Sequence, residues 1–363
     1  MYLQHITLSN FKSYETAEFD FSANVNGIVG ENGSGKTNLL DAIYYLCFCK
    51  SFFSSQDQFS VKFDTDFFAI HGDFVNRQQE NTTHIGCTYK VGGRKSMKAN
   101  QKEYDRFSDH IGRYPLVMVS PYDNDIINEG SDTRRRFFDM IISQFDKEYL
   151  QQLISYQKII LQRNTLLKSF IEHNNYDPIL LEVFDNQLIP LGEYIFQKRK
   201  EFIDNILPVF NKHYQYLSQG REEVGIAYES GLQEMSFADG LKNNAITDRK
   251  SGYTTFGIHK DDFQFLIDGR SVKRFGSQGQ QKSYALSLKL SQFDYIYERK
   301  GLKPILLLDD IFDKLDKKRT AQLLDLVGQD HFGQVFITDT DEVRVNEILN
   351  ARNIEHQVFH ITR

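Results

Sequence analysis

The segment Gly30-Glu31-Asn32-Gly33-Ser34-Gly35-Lys36-Thr37 constrains this 363-residue chain more than any other part of it. It fits the pattern G-x-x-x-x-G-K-[ST], and its flanks supply the context that the pattern needs. Asn24 to Gly30 reads as a β-strand, while Leu39, Leu40, Ile43 and Leu46 fall on one face of a helix that begins where the motif ends. A strand that runs into a glycine loop and then a helix turns several backbone N–H groups toward one point, where they bind phosphate oxygens. Gly30, Asn32, Gly33, Gly35 and Asn38 are the candidate cradle, Lys36 the candidate ligand of the β- and γ-phosphates, and Thr37 a candidate hydroxyl ligand of Mg²⁺. The expected fold class is α/β.

A second run, Pro304 to Asp310, is short, apolar and ends in two carboxylates, as a buried parallel strand next to a phosphate loop would. Asp309 is the candidate for the Mg²⁺ shell. Asp310 is the candidate that orients or deprotonates an attacking water and, with Lys36, makes up the expected catalytic pair. The plain alternative for Asp309-Asp310 is a solvated strand end that caps the next helix. Between the two motifs lies Phe275-Gly276-Ser277-Gln278-Gly279-Gln280-Gln281-Lys282, ahead of a helix with Leu286, Leu290, Phe293 and Ile296 on one side. Ser277, Gly279 and Gln280 form another candidate anion nest, with an ordinary N-capped helix as the alternative. Two cradles for one nucleotide imply a ligand shared between two copies.

Composition narrows the partners. Forty-three Lys and Arg against 49 Asp and Glu leave a net charge of −6, so nucleic acid or an anionic membrane must be met by a local patch and not by a global field. The longest aliphatic stretches, such as Ile305 to Leu308, are far short of the roughly 18 residues of a membrane span, and Met1 to Phe11 has no apolar signal core. No membrane partner and a cytoplasmic, nucleoid-associated location are expected. Three cysteines, Cys47, Cys49 and Cys87, argue against a disulfide framework and against structural zinc. Changes of hydrophobic period set the expected domains: an ATPase lobe over 1–120 with the phosphate loop and a β subdomain, an inserted mainly helical domain over 121–250, and the rest of the lobe over 251–363.

Ser-x-Gly-Gln at a helix start, shortly before the strand ending in Asp309, resembles the signature motif of ABC-type ATPases. Lys36 and Asp309 lie 309 − 36 = 273 positions apart, too far for a compact transporter ATPase and too near for long coiled coils. Over nearly its whole length the chain resembles the RecF family of bacterial recombination mediators. The residues that carry the likeness are Leu8 to Tyr14, the loop through Ile43, Pro121 with Asp123 to Gly130, Arg135-Arg136 with Asp139, and His259 to Asp262 followed by Ser277 to Lys282. The resemblance implies an ABC-type ATPase head, a RecA-like phosphate-loop core with an antiparallel β subdomain, carrying an inserted α-helical domain. It further implies ATP and Mg²⁺ as cofactors, an ATP-dependent homodimer, double-stranded and gapped DNA as ligands, and RecO, RecR and RecA as partners in DNA repair, replication restart and the SOS response. The alternative is an ABC-type subunit of another system, a transporter motor or another chromosome-associated head.

Some positions depart from the family pattern. Lys12, Lys260 and Lys282 stand where Arg is frequent, and Ile258 replaces a frequent Pro. The D-loop is Asp313 to Asp316, and Thr338 followed by Asp339-Thr340 takes the place of a switch histidine. Asp310 stands where transporters place Glu; one methylene shorter, it predicts slow hydrolysis.

The candidate DNA contacts are a basic arm after a Gly-Gly turn, Lys90, Arg94, Lys95, Lys98 and Lys102, together with Arg134 at a helix start. Each has a plainer alternative: the arm as a charged sheet edge, and Arg134 to Arg136 as cations neutralised by Asp139 and neighbouring carboxylates within the fold. Lys198 to Lys200 reads as an exposed helix face. His259 reads equally as a group at the nucleotide interface or as a hydrogen-bonded structural histidine.

Overall fold

Alternating burial of Leu3, Ile6, Leu8 and Phe11 makes β1 (Tyr2–Phe11) the spine of an antiparallel sheet in the structure, a computed structural model that describes residues 1–76, 81–220, 222–314, 317–328 and 331–362. β1 turns into β2 (Tyr14–Asp20), and the wholly buried β3 (Val25–Val29) then leads into the glycine loop and α1 (Lys36–Phe48). β4 (Phe67–Asn76), β5 (Asn81–Lys90), β6 (Ser96–Ala99) and β7 (Lys102–Glu103) complete the six-stranded sheet in the order β2-β1-β4-β5-β6-β7, and β8 (Leu116–Val119) follows.

The chain divides into two compact units, residues 1–123 with 288–363, and residues 124–287. In the second unit, α2 (Asp125–Asn128), α3 (Ser131–Phe145), α4 (Lys147–Glu172) and the 41-residue α5 (Pro178–Ser218) come first. Asp177 caps α5 by accepting from the N–H groups of Ile179 and Leu180, and Pro178 fills the first helical position, where no N–H is needed. β9 (Val224–Glu229), α6 (Phe237–Ser251), β10 (Asp262–Ile267), β11 (Arg270–Ser271), α7 (Val272–Phe275) and the first turns of α8 (Gln278–Lys300) follow. The sequence reading ends the insert at residue 250. In the structure, residues 251–287 belong to the second unit, because β10 pairs antiparallel with β9 from Asp262 opposite Glu229 to Ile267 opposite Val224.

Buried arginines organise this unit. The Arg199 guanidinium, 1% exposed, donates to both Asp139 oxygens at 3.0 and 2.9 Å, to the Ile258 carbonyl at 2.8 Å and to Asp261 at 3.0 Å. Arg163 similarly donates to Asp185 at 2.6 Å and Asp248 at 2.7 Å. Lys198-Arg199-Lys200, read from sequence as an exposed helix face, is therefore split: Arg199 faces the interior of the unit.

The first unit resumes with β12 (Ile305–Leu308), α9 (Ile311–Lys314), α10 (Lys317–Gly328), β13 (Val335–Asp339), α11 (Glu342–Asn350) and β14 (His356–His360). Its core is an all-parallel sheet in the order β14-β3-β13-β12-β8. Gln334 fastens this sheet to the antiparallel one: its amide accepts from Leu3 N–H at 2.8 Å and donates to the carbonyls of Leu3 at 2.7 Å and Ser22 at 2.8 Å. Cys47, Cys49 and Cys87 are buried free thiols.

Two histidines are locked in the neutral form. His110 Nε2 meets the Leu46 carbonyl at 2.7 Å, and burial pushes its pKa down to about 4. His259 places Nε2 against the Thr254 carbonyl at 3.0 Å and Nδ1 against the Tyr156 hydroxyl at 2.8 Å, and burial lowers it to about 4 as well. Unfolding returns both to the ordinary value of 6.5. The unfolded chain then binds more protons, so stability is complete above pH 6.5 and declines as pH falls toward 4, by up to about 3 kcal/mol per histidine. Denaturant titrations across that window should show this slope, and His259→Asn should remove about one proton from it.

Candidate nucleotide-binding site

The glycine loop takes backbone shapes closed to other residues. Gly33 and Gly35 have φ of 77° and 116°, and a Cβ on Gly35 would lie 2.8 Å from Ser13 Oγ. Gly30 has no room for one either, since its Cβ would stand 2.4 Å from the Ile361 carbonyl oxygen. The turn between β1 and β2 braces the loop: Tyr14 donates its hydroxyl to the Gly35 carbonyl at 3.0 Å, and Asn38 donates to Ser13 Oγ at 2.8 Å. Asn32 and Gly33 form the exposed crest. Lys36 is buried in the curl, its ammonium donating to the carbonyls of Gly30 at 2.8 Å and Glu31 at 3.0 Å. Lys12, where Arg is frequent in the family, pairs with the buried Asp41 at 2.5 Å.

The parallel sheet brings the acidic strand to this loop. Thr37 Oγ1 donates to Asp309 at 3.1 Å, and Thr338 Oγ1 donates to the same carboxylate at 2.9 Å. The Asp309 N–H donates to the Val119 carbonyl at 2.9 Å, which anchors the end of β12 on β8. Burial lifts the Asp309 carboxyl above the usual range, against hydrogen bonds from the two threonines that favour the charged form. Asp310 holds a left-handed φ of 47°, and its N–H donates to Thr338 Oγ1 at 2.9 Å. Thr338 stands in the sequence where a switch histidine is usual. It is fully buried, its hydroxyl committed to the two aspartates. Sequence reasoning missed that role because the bond joins residues 29 positions apart. Leu315 and Asp316 of the D-loop lie outside the described residues.

Hard oxygen donors at this spacing, a threonine hydroxyl beside a carboxylate, suit Mg²⁺. A cation there would replace the Thr37 hydroxyl hydrogen as the partner of Asp309.

Ser277, Gly279 and Gln280 lie in the second unit. Ser277 Oγ accepts from the Gln280 N–H at 3.2 Å while Gln280 Oε1 accepts from the Ser277 N–H at 2.7 Å, a reciprocal capping box. Gln280 also donates to Glu222 at 2.8 Å, and Ser277 remains exposed.

The cationic candidates divide. Lys95 is engaged inside the fold, paired with Asp57 at 2.8 Å and donating to the Cys49 carbonyl at 2.8 Å. Arg134 is also internal: its guanidinium grips Asp262 at 2.7 and 2.9 Å and donates to the Glu129 carbonyl at 2.9 Å. Both are corrected from DNA contacts to structural cations. Lys90, Arg94, Lys98 and Lys102 are exposed, with Lys90 near Asp66 at 3.3 Å and Arg94 near Glu103 at 3.7 Å. Arg135 donates to the Asp261 carbonyl at 2.7 Å and Arg136 pairs with Asp132 at 2.7 Å. His259 falls to its structural alternative, with both ring nitrogens occupied. Gln56 and Gln58 are exposed and hydrogen-bonded to each other at 2.8 Å.

Arg134→Gln leaves the largely buried Asp262 without its fork and should cost about 3 kcal/mol of stability, read by denaturant titration. Lys98→Gln and Lys102→Gln should each stay within about 0.5 kcal/mol of the parent.

Residues 2–361 match the RecF/RecN/SMC N-terminal domain family. The DNA replication and repair protein RecF of Flavobacterium johnsoniae is 46% identical over 361 residues, which is 99% of this chain and 100% of that protein. Its counterpart in Bacteroides fragilis is 45% identical over 361 residues, 99% of this chain and 96% of that one. A solved structure of the recombination mediator protein RecF with ATP, in the RecFOR pathway, superposes with a TM-score of 0.90 at 32% identity, covering 99% of this chain and 95% of its own. An Smc head bound to the C-winged helix domain of ScpA, with a TM-score of 0.57 at 16% identity over 100% of this chain and 94% of its own, shares the fold. The ABC-type ATPase head with a helical insertion, expected from the motifs, is the architecture common to these structures, and the chain belongs to the RecF family of DNA replication and repair proteins.

Proposed function

We propose that this chain is an ATP-dependent DNA-binding clamp of recombinational repair and replication restart. The observation that carries the reading is the meeting of Thr37 and Asp309 at 3.1 Å beside the buried Lys36. The loop N–H groups and Lys36 bind the β- and γ-phosphates of ATP, Thr37 and Asp309 hold the metal shell, and Asp310 orients water. Mg²⁺, when bound, supplies charge neutralisation of the terminal phosphates. Hydrolysis is slow, because the short Asp310 side chain starts from a strained backbone whose N–H is already tied to Thr338.

Two copies close around two ATP molecules, the phosphate loop of one facing the Ser277 turn of the other in an isologous dimer. Support comes from the exposed Ser277 and from a capping box that leaves the second lone pair of its hydroxyl oxygen available. The closed dimer binds duplex and gapped DNA through Lys90, Arg94, Lys98 and Lys102. Membership of the RecF family supports cooperation with RecO and RecR in loading RecA.

Sedimentation of the parent with ATP and duplex DNA should show a dimer, and Lys36→Met and Ser277→Arg should each abolish it while the monomer stays folded. A Ser277→Arg protein that dimerises normally overturns the shared-site arrangement. Turnover should remain below about 10 s⁻¹.

Replacing Lys98 and Lys102 together by Gln should reduce the slope of log affinity against log salt by about 0.9 per lost phosphate contact, without altering ATP binding. An unchanged slope removes the arm from the DNA surface.

A further inference from the structure

The end of β13 carries an ion pair to which the proposed function gives no role. Asp339 is 3% exposed and stands in register with Val29, the residue before Gly30. Its Oδ1 accepts from the Asp341 N–H at 2.8 Å and from the Arg344 guanidinium. Its Oδ2 is buried and meets no donor among the described residues. One residue earlier, Thr338 holds Asp309 and the N–H of Asp310. The Arg344 guanidinium lies 5.6 Å from the ring centre of Phe312, two residues beyond Asp310. Asp339 thus stands where β3, β13 and β12 end side by side, with the phosphate loop leaving one neighbouring strand and Asp309-Asp310 leaving the other.

The charges at this edge are informative. Three carboxylates, Asp309, Asp310 and Asp339, stand against Lys36 and Arg344, at a place that takes a polyanion in the function proposed above. A carboxylate repels a phosphate, so the buried, unpaired Oδ2 of Asp339 is suited to a different partner, an O–H donor. A buried acceptor without a partner costs free energy, and a helix start could be capped without one, since Oδ1 alone serves Asp341 and Arg344. Thr37 and Asp309 would hold the metal, and its charge would neutralise the terminal phosphate beside them.

We propose that Asp339 is a second catalytic carboxylate of this site, its Oδ2 accepting a hydrogen bond from the attacking water, and that Arg344 is the positioning residue that orients and neutralises it. The assignment rests on the ATPase reading. In the step it serves, the water oxygen bonds to the terminal phosphorus as the bond from that phosphorus to the bridging oxygen breaks. ADP leaves with the electron pair, one water proton passes to Asp310, and the other stays on the released phosphate.

Binding of radiolabelled ATP and ADP with Mg²⁺, measured by equilibrium dialysis alongside single-turnover hydrolysis, tests the assignment in Asp339→Asn, Arg344→Gln and the double variant. Asp339→Asn should bind ATP within about twofold of the parent and hydrolyse it at least about tenfold more slowly. Arg344→Gln leaves the Asp339 charge uncompensated and should weaken ATP about tenfold, with a smaller loss for ADP, which lacks the terminal phosphate. The double variant should recover ATP affinity and not turnover, a pattern that loss of a structural contact would not produce. Parental hydrolysis by Asp339→Asn, or equal losses for ATP and ADP in Arg344→Gln with no recovery in the double variant, overturns the assignment. If Arg344→Gln does not fold, the isosteric Asp339→Asn decides alone. A parent that binds no ATP would instead overturn the reading of the site itself.

Discussion

Asp309 is a buried carboxylate held by two threonine hydroxyls from different parts of the chain, Thr37 on the first helix and Thr338 on a strand near the far end. Burial raises the cost of its charge, and the hydroxyls offset that cost. The two threonines can meet only if β3, β13 and β12 are adjacent and parallel, because a parallel arrangement puts the C-terminal ends of all three strands on one edge. The rest of the first unit serves this edge. Gln334 ties the parallel sheet to the antiparallel one, and the β1–β2 turn supports the glycine loop from outside. A ligand at the edge meets oxygen atoms that the fold has already ordered, so little reorganisation remains for binding.

The second unit is built on a different principle. Arg199 joins α5 to α3 through Asp139 and to the segment before β10 through Ile258 and Asp261, so one guanidinium fixes three elements. Arginine suits this place because its five N–H donors diverge in a fixed plane, whereas a lysine ammonium could not satisfy two carboxylates and a carbonyl with the same geometry. Arg134 repeats the device at the start of α3, with Asp262 at the start of β10 as its partner. Removing one member of such a pair leaves a desolvated charge, a far larger effect than its net contribution when intact. The strand it secures leads through β11 and α7 to the Ser277 turn, so the position of that turn within the unit depends on buried charge pairs and not on the turn itself.

What could be read in the sequence depended on range along the chain. The glycine loop, its strand and its helix are contiguous, and each follows from local residue type and period. The strand ending in Asp309 was legible for the same reason. The structural roles of Lys95 and Arg134 were not, because their partners Asp57 and Asp262 lie far away in sequence and nothing local separates a paired cation from an exposed one. Arg199 shows the difficulty most sharply: flanked by two lysines it reads as a solvated helix face, yet helical rotation turns it inward while Lys200 is exposed. The boundary near residue 250 failed similarly, since the pairing of β9 with β10 reaches across the whole of α6. Thr338 reads from sequence only as the residue in the place of a switch histidine, and its partner follows only from the register of β12 and β13.

Lys36 illustrates how such a site distinguishes its ligands before any chemistry occurs. Its ammonium is already satisfied, donating to two carbonyls of the loop that it must serve. A phosphate has to draw the ammonium out of those bonds, and the exchange is favourable only because hydrogen bonds between charged partners are about twice as strong as those to neutral carbonyls. In the proposed site, a ligand with a terminal phosphate would gain from this exchange and from a cation at Thr37 and Asp309, whereas one that ends at the β-phosphate would gain less from both. On the proposed reading, preference for a triphosphate would arise from competition with the loop's own carbonyls, and binding energy that would otherwise tighten both nucleotides equally would become a difference between them.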